Sequence, residues 1–357
     1  FFSPFDSRAK SWIEDFRSKY SFDDVNLYLK KVSEIDIVIV GEIIIDQYTE
    51  VEALGRASKD PILAFNLRDT KVYPGGVLAI AKNCSSWVRS VQLYSTICEG
   101  DNSVSELMAD SLGNIQLNLA VTPFPTITKH RYVDSGSGSK FFETYSFESD
   151  LLKIAENTAI VELLGSISPS STVLVADYGH GLLSDQVIIK LLDQSKFLAV
   201  NVQSNAGNRG LNSISKYKCM DFFTANSREL QLEMRSKRLD YDVIVPQLMK
   251  KYGSSGAILT LGGDGLLVFN EDEVYSAPAL ATKVVDKVGA GDSVFAISSL
   301  LARVGAPLAI IGFLSNLVAA HEVAHLGHQS SLSLGDLRKQ IKRSEEHTSE
   351  LQSRFGI

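Results

Sequence analysis

Asp286-Lys-Val-Gly-Ala-Gly-Asp-Ser293 runs directly into the apolar stretch Val294-Phe-Ala-Ile-Ser-Ser-Leu-Leu301. Gly289 and Gly291, on either side of Ala290, let the backbone turn tightly into a helix. Several N–H groups then converge at the positive end of the helix dipole and form a cradle for an anion such as a phosphoryl group. Asp292 falls in the first helical turn, at the edge of that cradle. A ring of donors with a carboxylate beside it suits phosphoryl transfer from ATP to a hydroxyl. The amides offset developing charge and the Asp accepts the proton. The same residues also suit an ordinary glycine-rich helix entry with an acidic first turn.

Three further segments bear on phosphate chemistry. Pro74-Gly75-Gly76 opens a helix running to about Trp87, and paired glycines permit close approach of backbone to a ligand or simply make a turn. Asn226-Ser-Arg-Glu229 sets a neutral oxygen and a carboxylate one helical turn apart, suited to a hydrated Mg²⁺ bridging phosphates, or equally to an N-cap with its capping-box Glu. Thr260-Leu-Gly-Gly-Asp-Gly265 is a glycine loop at a strand end, which also reads as a hairpin turn.

A different chemistry is suggested by His321-Glu322-Val-Ala-His325, which fits the H-E-x-x-H helix of zinc proteases. That site needs a third ligand. The extended form wants Gly at 328 and His at 331, where the chain has His328 and Ser331, and a downstream Glu would come from Glu345 or beyond. Beside Leu317, Val318, Ala320 and Val323 the two histidines also read as packing groups.

The elements that must position these residues follow a βα rhythm. Ile35–Val40, Val173–Ala176, Phe197–Val200 and Ala257–Thr260 are short buried strands. Helical patterns over Asp185–Asp193, Ser227–Met234 and Tyr241–Tyr252 separate most of them, as in a parallel sheet with helical crossovers. Residues 46–73 and 126–147 are polar and alternating, and predict a small half-exposed sheet acting as a lid, with Ser135-Gly-Ser-Gly-Ser139 at a hairpin tip. With 45% hydrophobic and 22% charged residues, the chain can bury a sizeable core. A net charge of −7 argues against a nucleic-acid partner. The longest apolar stretch, Ala306–Ala320, contains Pro307 and is short for a membrane span, so no membrane partner is expected. Three scattered cysteines give neither a disulfide framework nor a metal pair and fit a reducing, cytoplasmic setting.

Together with Gly41-Glu-Ile-Ile-Ile-Asp46, these motifs fall in the order and spacing of the ribokinase-like, or PfkB, carbohydrate kinases, which the chain resembles from about residue 35 to 340. Within that family it looks most like the kinases of bacterial heptose-phosphate metabolism, through Asp177-Tyr-Gly-His-Gly181 and Pro125-Thr-Ile-Thr-Lys-His-Arg131. The resemblance implies an α/β three-layer sandwich with a mostly parallel central sheet and a small β lid, and ATP and Mg²⁺ as cofactors. It also implies site roles. Asp292 would be the base and Gly289, Ala290 and Gly291 the anion hole. Asp46, Gly75 and Gly76 would hold acceptor hydroxyls. Asn226 and Glu229 would organise Mg²⁺ through water, Thr260, Gly262, Gly263 and Gly265 would touch the ATP phosphates, and Asn316 would lie near the adenine. Lys59, Lys129 and Arg131 could neutralise a phosphate on the acceptor, a small-molecule sugar or sugar phosphate.

The chain departs from the family pattern in four places. Asp286-Lys287-Val288 stands where hydroxyl residues are common, and Ala79 where many relatives have Asn. Asn201-Val-Gln-Ser-Asn-Ala-Gly207 replaces the heptose-type Asp-Pro-Lys segment, and His180 stands for a usual Lys. A catalytically degenerate member that binds sugar or nucleotide is therefore a third reading.

At the ends, residues 1–34 are expected to be a helical lead-in, the trailing part of an upstream domain that by analogy would be a nucleotidyltransferase. Residues 35–342 are expected to form the kinase domain, and a homodimer is compatible with it. Arg343–Ser353 resembles a translated sequencing adapter, so 343–357 is expected to be an artefact.

Overall fold

The computed structural model describes residues 7–109, 113–150, 158–208, 210–325 and 332–342. The suspected adapter segment 343–357 and His328 lie outside them. The main sheet has nine strands in the order β13-β12-β11-β10-β9-β8-β1-β4-β5. These are β1 (Asp36–Gly41), β4 (Ser90–Cys98), β5 (Ile115–Thr122), β8 (Ser171–Asp177), β9 (Ser195–Val202), β10 (Phe222–Asn226), β11 (Gly256–Thr260), β12 (Leu266–Asn270) and β13 (Val274–Ala277). From β11 to β5 every pairing is parallel, and only β12 and β13 run antiparallel at one edge.

Side-chain alternation along the strands explains the layers. In β1, Ile37 and Ile39 enter one apolar cluster while Val38 and Val40 enter the other, so the strand is buried on both faces and reads as a continuous apolar run. The first cluster receives α1 (Ser7–Lys19), α2 (Phe22–Ser33), α3 (Val77–Ser85), α4 (Ser103–Met108), α9 (Ala290–Arg303) and α10 (Leu308–Val323). The second receives α5 (Ala159–Leu164), α6 (Asp185–Gln194), α7 (Ser227–Glu233) and α8 (Tyr241–Tyr252). The apolar stretch from Ala306 is thus a core helix. Among the described residues no helix is long and apolar enough to cross a membrane.

A second sheet, in the order β3-β2-β6-β7, comprises β2 (Ile43–Arg56), β3 (Leu63–Gly76), β6 (Ile127–Asp134) and β7 (Lys140–Ser146). These are the expected lid segments, but the strands run further into the core than the polar pattern indicates. Ile43, Ile44 and Ile45 are buried where β2 leaves the main sheet, whereas Glu52 to Arg56 are exposed. The expected glycine turn at Pro74-Gly75-Gly76 is accordingly the end of β3, and only Gly76, at φ +56°, turns the chain into α3. That helix stops at Ser85.

The lead-in helices are not set apart from the rest. Phe16 is 3% exposed and stacks on Phe313 of α10 with ring centroids 4.3 Å apart, while Trp12 Nε1 donates to the Ser276 carbonyl at 3.1 Å. Phe16→Ala should therefore destabilise the whole fold by about 3 kcal/mol, the cost of an emptied aromatic core position. Urea unfolding measures it, and a loss below about 1 kcal/mol would show that the N-terminal helices contribute little to the core.

Candidate active site

A cavity of about 400 Å³ opens between the lid and the carboxyl ends of the parallel strands, the usual ligand position in such sheets. Asp46 of β2, Lys129 and Arg131 of β6 and Lys140 of β7 line it from the lid. Tyr178, Asn201, Thr224, Asn226 and Thr260 line it from the ends of β8 to β11, and Gly289, Gly291 and Asp292 from the start of α9.

The entry to α9 is built as its glycines require. Gly289 sits at φ +84°, a left-handed conformation suited to glycine, and its carbonyl accepts the Ser293 amide at 2.9 Å. A Cβ at Gly291 would meet no atom within 4 Å, so this turn faces open space. Ala290 is the first residue of the helix and does not line the cavity. Asp292, though 8% exposed, borders the cavity, and its Oδ1 accepts from Tyr178 Oη at 2.9 Å and Gln203 Nε2 at 2.5 Å. Just upstream, Asp286 accepts Lys140 Nζ at 2.6 Å, Tyr48 Oη at 3.0 Å and the Val288 amide at 3.1 Å. Burial pushes its carboxyl up, but these partners outweigh burial and hold it below the ordinary value. A lid lysine thus grips the segment that leads into the glycine turn.

On the lid side Asp46 is buried and receives Arg131 Nη1 at 2.5 Å, while Arg131 Nε lies 3.3 Å from Glu143. Gly75 has a clear purpose here: a Cβ on it would stand 2.3 Å from Asp46 Oδ2. Lys129 is also buried, its pKa lowered mainly by burial, with its ammonium 5.8 Å from the Tyr178 ring centre. Lys59 does not join this group. It lies exposed in the connection between β2 and β3, away from the cavity lining, because the lid strands carry it outward.

Asn226 and Glu229 form the capping box that their motif allows. Asn226 Oδ1 accepts the Glu229 amide at 2.9 Å and Glu229 Oε2 accepts the Asn226 amide at 2.8 Å, a capping box at the start of α7. Both also line the cavity, and burial pushes the Glu229 carboxyl up to about 7. Thr260 reaches the cavity from the end of β11. The glycines after it make the β11–β12 hairpin: Gly262 and Gly263 are exposed, and Gly265 is held at φ +99°, where a Cβ would be 2.1 Å from the Ala277 carbonyl. Asn316 is buried on α10 and outside the cavity lining, and among the described residues its Nδ2 has no hydrogen-bond partner.

The zinc-protease reading gains no support. His321 and His325 lie at the end of α10 with rings 4.6 Å apart, and His325 Nδ1 is 2.8 Å from the His321 carbonyl. Among the described residues no three His, Cys, Asp or Glu side chains cluster to hold a metal ion. Sequence reasoning in turn overlooked Gln203, Lys140, Glu143 and Tyr145 as site residues and gave Tyr178 no role. The one available signal was that Tyr178 and Gln203 stand in the two segments that depart from or echo the heptose-type pattern.

Comparison with known proteins agrees with this architecture. The profile of the pfkB family carbohydrate kinases matches residues 34–334. The bifunctional protein HldE of Coxiella burnetii is 25% identical over 324 residues, covering 89% of this chain, and that of Aliivibrio fischeri is 23% identical over 335 residues, covering 92%. The match takes in 65% of the Coxiella protein and 67% of the Aliivibrio protein, so both relatives are longer than the segment shared. Among solved structures, phosphofructokinase-2 from Escherichia coli superposes with a TM-score of 0.67 at 14% identity, covering 87% of this chain and 100% of that one. Ribokinase from Thermotoga maritima gives 0.64 at 18% identity, with 87% and 99% coverage. A nine-stranded ribokinase-like sheet, a four-stranded lid and a family profile across most of the chain make this protein a member of the PfkB family of carbohydrate kinases, phosphotransferases with an alcohol group as acceptor.

Proposed function

We propose that the protein transfers the γ-phosphoryl group of ATP to a hydroxyl of a sugar or sugar phosphate, with Asp292 as general base and the 289–291 turn as anion hole. The observation that carries this reading is the placement of Asp292. It is nearly buried, held by two donors, and borders the same cavity as the glycine turn and the cationic lid residues. The acceptor oxygen attacks the γ-phosphorus, its proton passes to Asp292, and the bond to the β-phosphate oxygen breaks to release ADP. The amides of the turn would stabilise charge on the phosphoryl oxygens as it moves.

Acceptor recognition falls to the lid. Asp46 is suited to accept sugar hydroxyls, and Lys129, beside an Arg131 already matched by Asp46 and Glu143, would suit an acceptor phosphate. Closure of the lid, tied to the glycine turn through Lys140 and Asp286, would exclude water and limit wasteful ATP hydrolysis.

Mg²⁺ supplies neutralisation of the ATP phosphates when bound, and Asn226 and Glu229 are the residues that would hold it through water. Their chemistry fits. Glu229 is a cavity-lining carboxyl that burial, and after it the Asp292 charge, pushes up to about 7, and a nearby cation would favour its ionised form. The relatives named bifunctional extend beyond the region matched here, and a nucleotidyltransferase partner would use the phosphorylated sugar.

Asp292→Asn should retain the fold and ATP binding yet lower turnover about 10²-fold or more in an ATP-consumption screen over pentoses, hexoses, heptoses and their phosphates. Turnover like wild type would remove Asp292 from the chemistry, and stoichiometric ATP binding without ADP release on any acceptor would favour the degenerate reading. The Glu229 carboxyl, raised to about 7, is mostly protonated below that pH and then attracts a cation poorly. The Mg²⁺ concentration for half-maximal turnover should thus rise as pH falls from 8 to 6, and in Glu229→Gln it should be high and nearly flat. A wild-type value constant over that range would exclude Glu229 from the metal site.

A further inference from the structure

Gln203 belongs to the segment in which the chain leaves the heptose-type pattern, and the fold sets it against the base. Its Nε2 donates to two acceptors, Asn201 Oδ1 at 3.0 Å and Asp292 Oδ1 at 2.5 Å. Two oxygens on that side fix the orientation of the carboxamide, since Oε1 in the same place would meet only acceptors. Asn201 is fixed in turn. It is buried, and its Nδ2 donates to the Thr224 carbonyl at 3.1 Å and to Thr224 Oγ1 at 2.9 Å, which turns its Oδ1 toward Gln203.

The second donor arrives from another loop. Tyr178 Oη reaches Asp292 Oδ1 at 2.9 Å. Burial, and after it the Asp292 carboxylate, raises the phenol pKa well above its usual value, so the hydroxyl keeps the proton it donates. Three asparagines then tie the two loops together. Asn205 and Asn208 donate to the Tyr178 carbonyl at 2.7 and 3.0 Å, and Asn208 and Asn212 donate to the Gln203 carbonyl at 2.8 and 3.3 Å.

We propose that Tyr178 and Gln203 are a pair of positioning residues that hold the Asp292 carboxylate for proton transfer, and that Asn201, Asn205, Asn208 and Asn212 are the frame that holds them. This rests on the reading of Asp292 as the base. A carboxylate on the first turn of a helix has two free torsions, and donors fixed on two separate loops remove that freedom. Both donors are neutral. They orient the carboxylate without adding charge to its surroundings, where Lys129 of β6 and Glu229 of α7 already act on it electrostatically and Lys287 lines the same cavity.

The test is independent of the acceptor. In the full chain labelled with [¹³Cγ]aspartate, the Asp292 carboxyl is identified by the resonance lost in Asp292→Asn and titrated by NMR. Gln203→Leu and Tyr178→Phe should each raise its midpoint by about one unit, the scale of one lost hydrogen bond to a carboxylate. Gln203→Lys keeps a donor and adds a positive charge, so it should lower the midpoint. The acid limb of the kcat profile, measured with MgATP and the best acceptor of the sugar panel, should move in the same directions. Unchanged midpoints in the three variants, or shifted midpoints with an unmoved acid limb, would overturn the proposal. Wild-type turnover by Asp292→Asn would instead overturn the assignment of the base and leave the NMR shifts standing, so the two failures are distinguishable. Where Gln203→Leu does not fold, Gln203→Lys and Tyr178→Phe decide the matter, since one restores a donor and the other removes a single oxygen.

Discussion

Asp292 stands in the first turn of α9, directly after a glycine turn that faces open space at Gly291, with two fixed hydrogen-bond donors on its Oδ1. Much of the surrounding structure serves that arrangement. Gly289 supplies the left-handed turn that starts the helix, and α9 is locked behind it by an almost wholly apolar body, Val294 to Leu301, inside the larger core cluster. Ser293 is tied sideways by Asn83 Nδ2 of α3 at 2.9 Å, so the helix that follows the lid strand and the helix that carries Asp292 are joined at the residue next to it.

The cavity is electrostatically balanced rather than uniformly charged. Arg131 is matched by Asp46 and Glu143, and Lys140 by Asp286, leaving pairs that are already oriented before any ligand arrives. Such pairs add little to stability, because desolvation offsets their attraction. Their use is geometric: the Arg131 pairs tie three lid strands together, and Lys140–Asp286 links the lid to the segment before the glycine turn. Lys129 and Arg131 line the cavity from the lid beside the Asp46 carboxylate, so cations and a carboxylate face the same space.

The layers and the lid were legible because both rest on short-range patterns. Apolar runs such as Ile35–Val40 announce strands buried on two faces, and the alternation in 126–147 announces a half-exposed hairpin. The glycine turn before Asp292 was equally plain, since only glycine suits its backbone. Asn226 and Glu229 read as either a cap or a ligand pair, and the fold shows the cap while also setting both residues at the cavity wall. The remainder depended on contacts that no local pattern carries. Gln203 meets Asp292 across 89 residues, and Lys140 meets Asp286 across 146. Lys59 attracted notice by its place near the lid, but the sequence does not say how far a strand carries its end from the cavity. The glycines at 262, 263 and 265 were ambiguous for the opposite reason, since a hairpin and a phosphate loop require the same backbone freedom. His321-Glu322-Val-Ala-His325 shows that a spacing suited to metal is also the spacing of neighbours on any helix.

The most direct measurement is a crystal structure of the full chain with ADP, Mg²⁺, a planar phosphoryl mimic such as aluminium fluoride, and an acceptor identified by turnover. The account predicts the mimic against the amides of residues 289–291 and an acceptor oxygen within about 3 Å of the Asp292 carboxylate. A mimic bound away from that turn, or an acceptor oxygen beyond hydrogen-bond reach of Asp292, would contradict it.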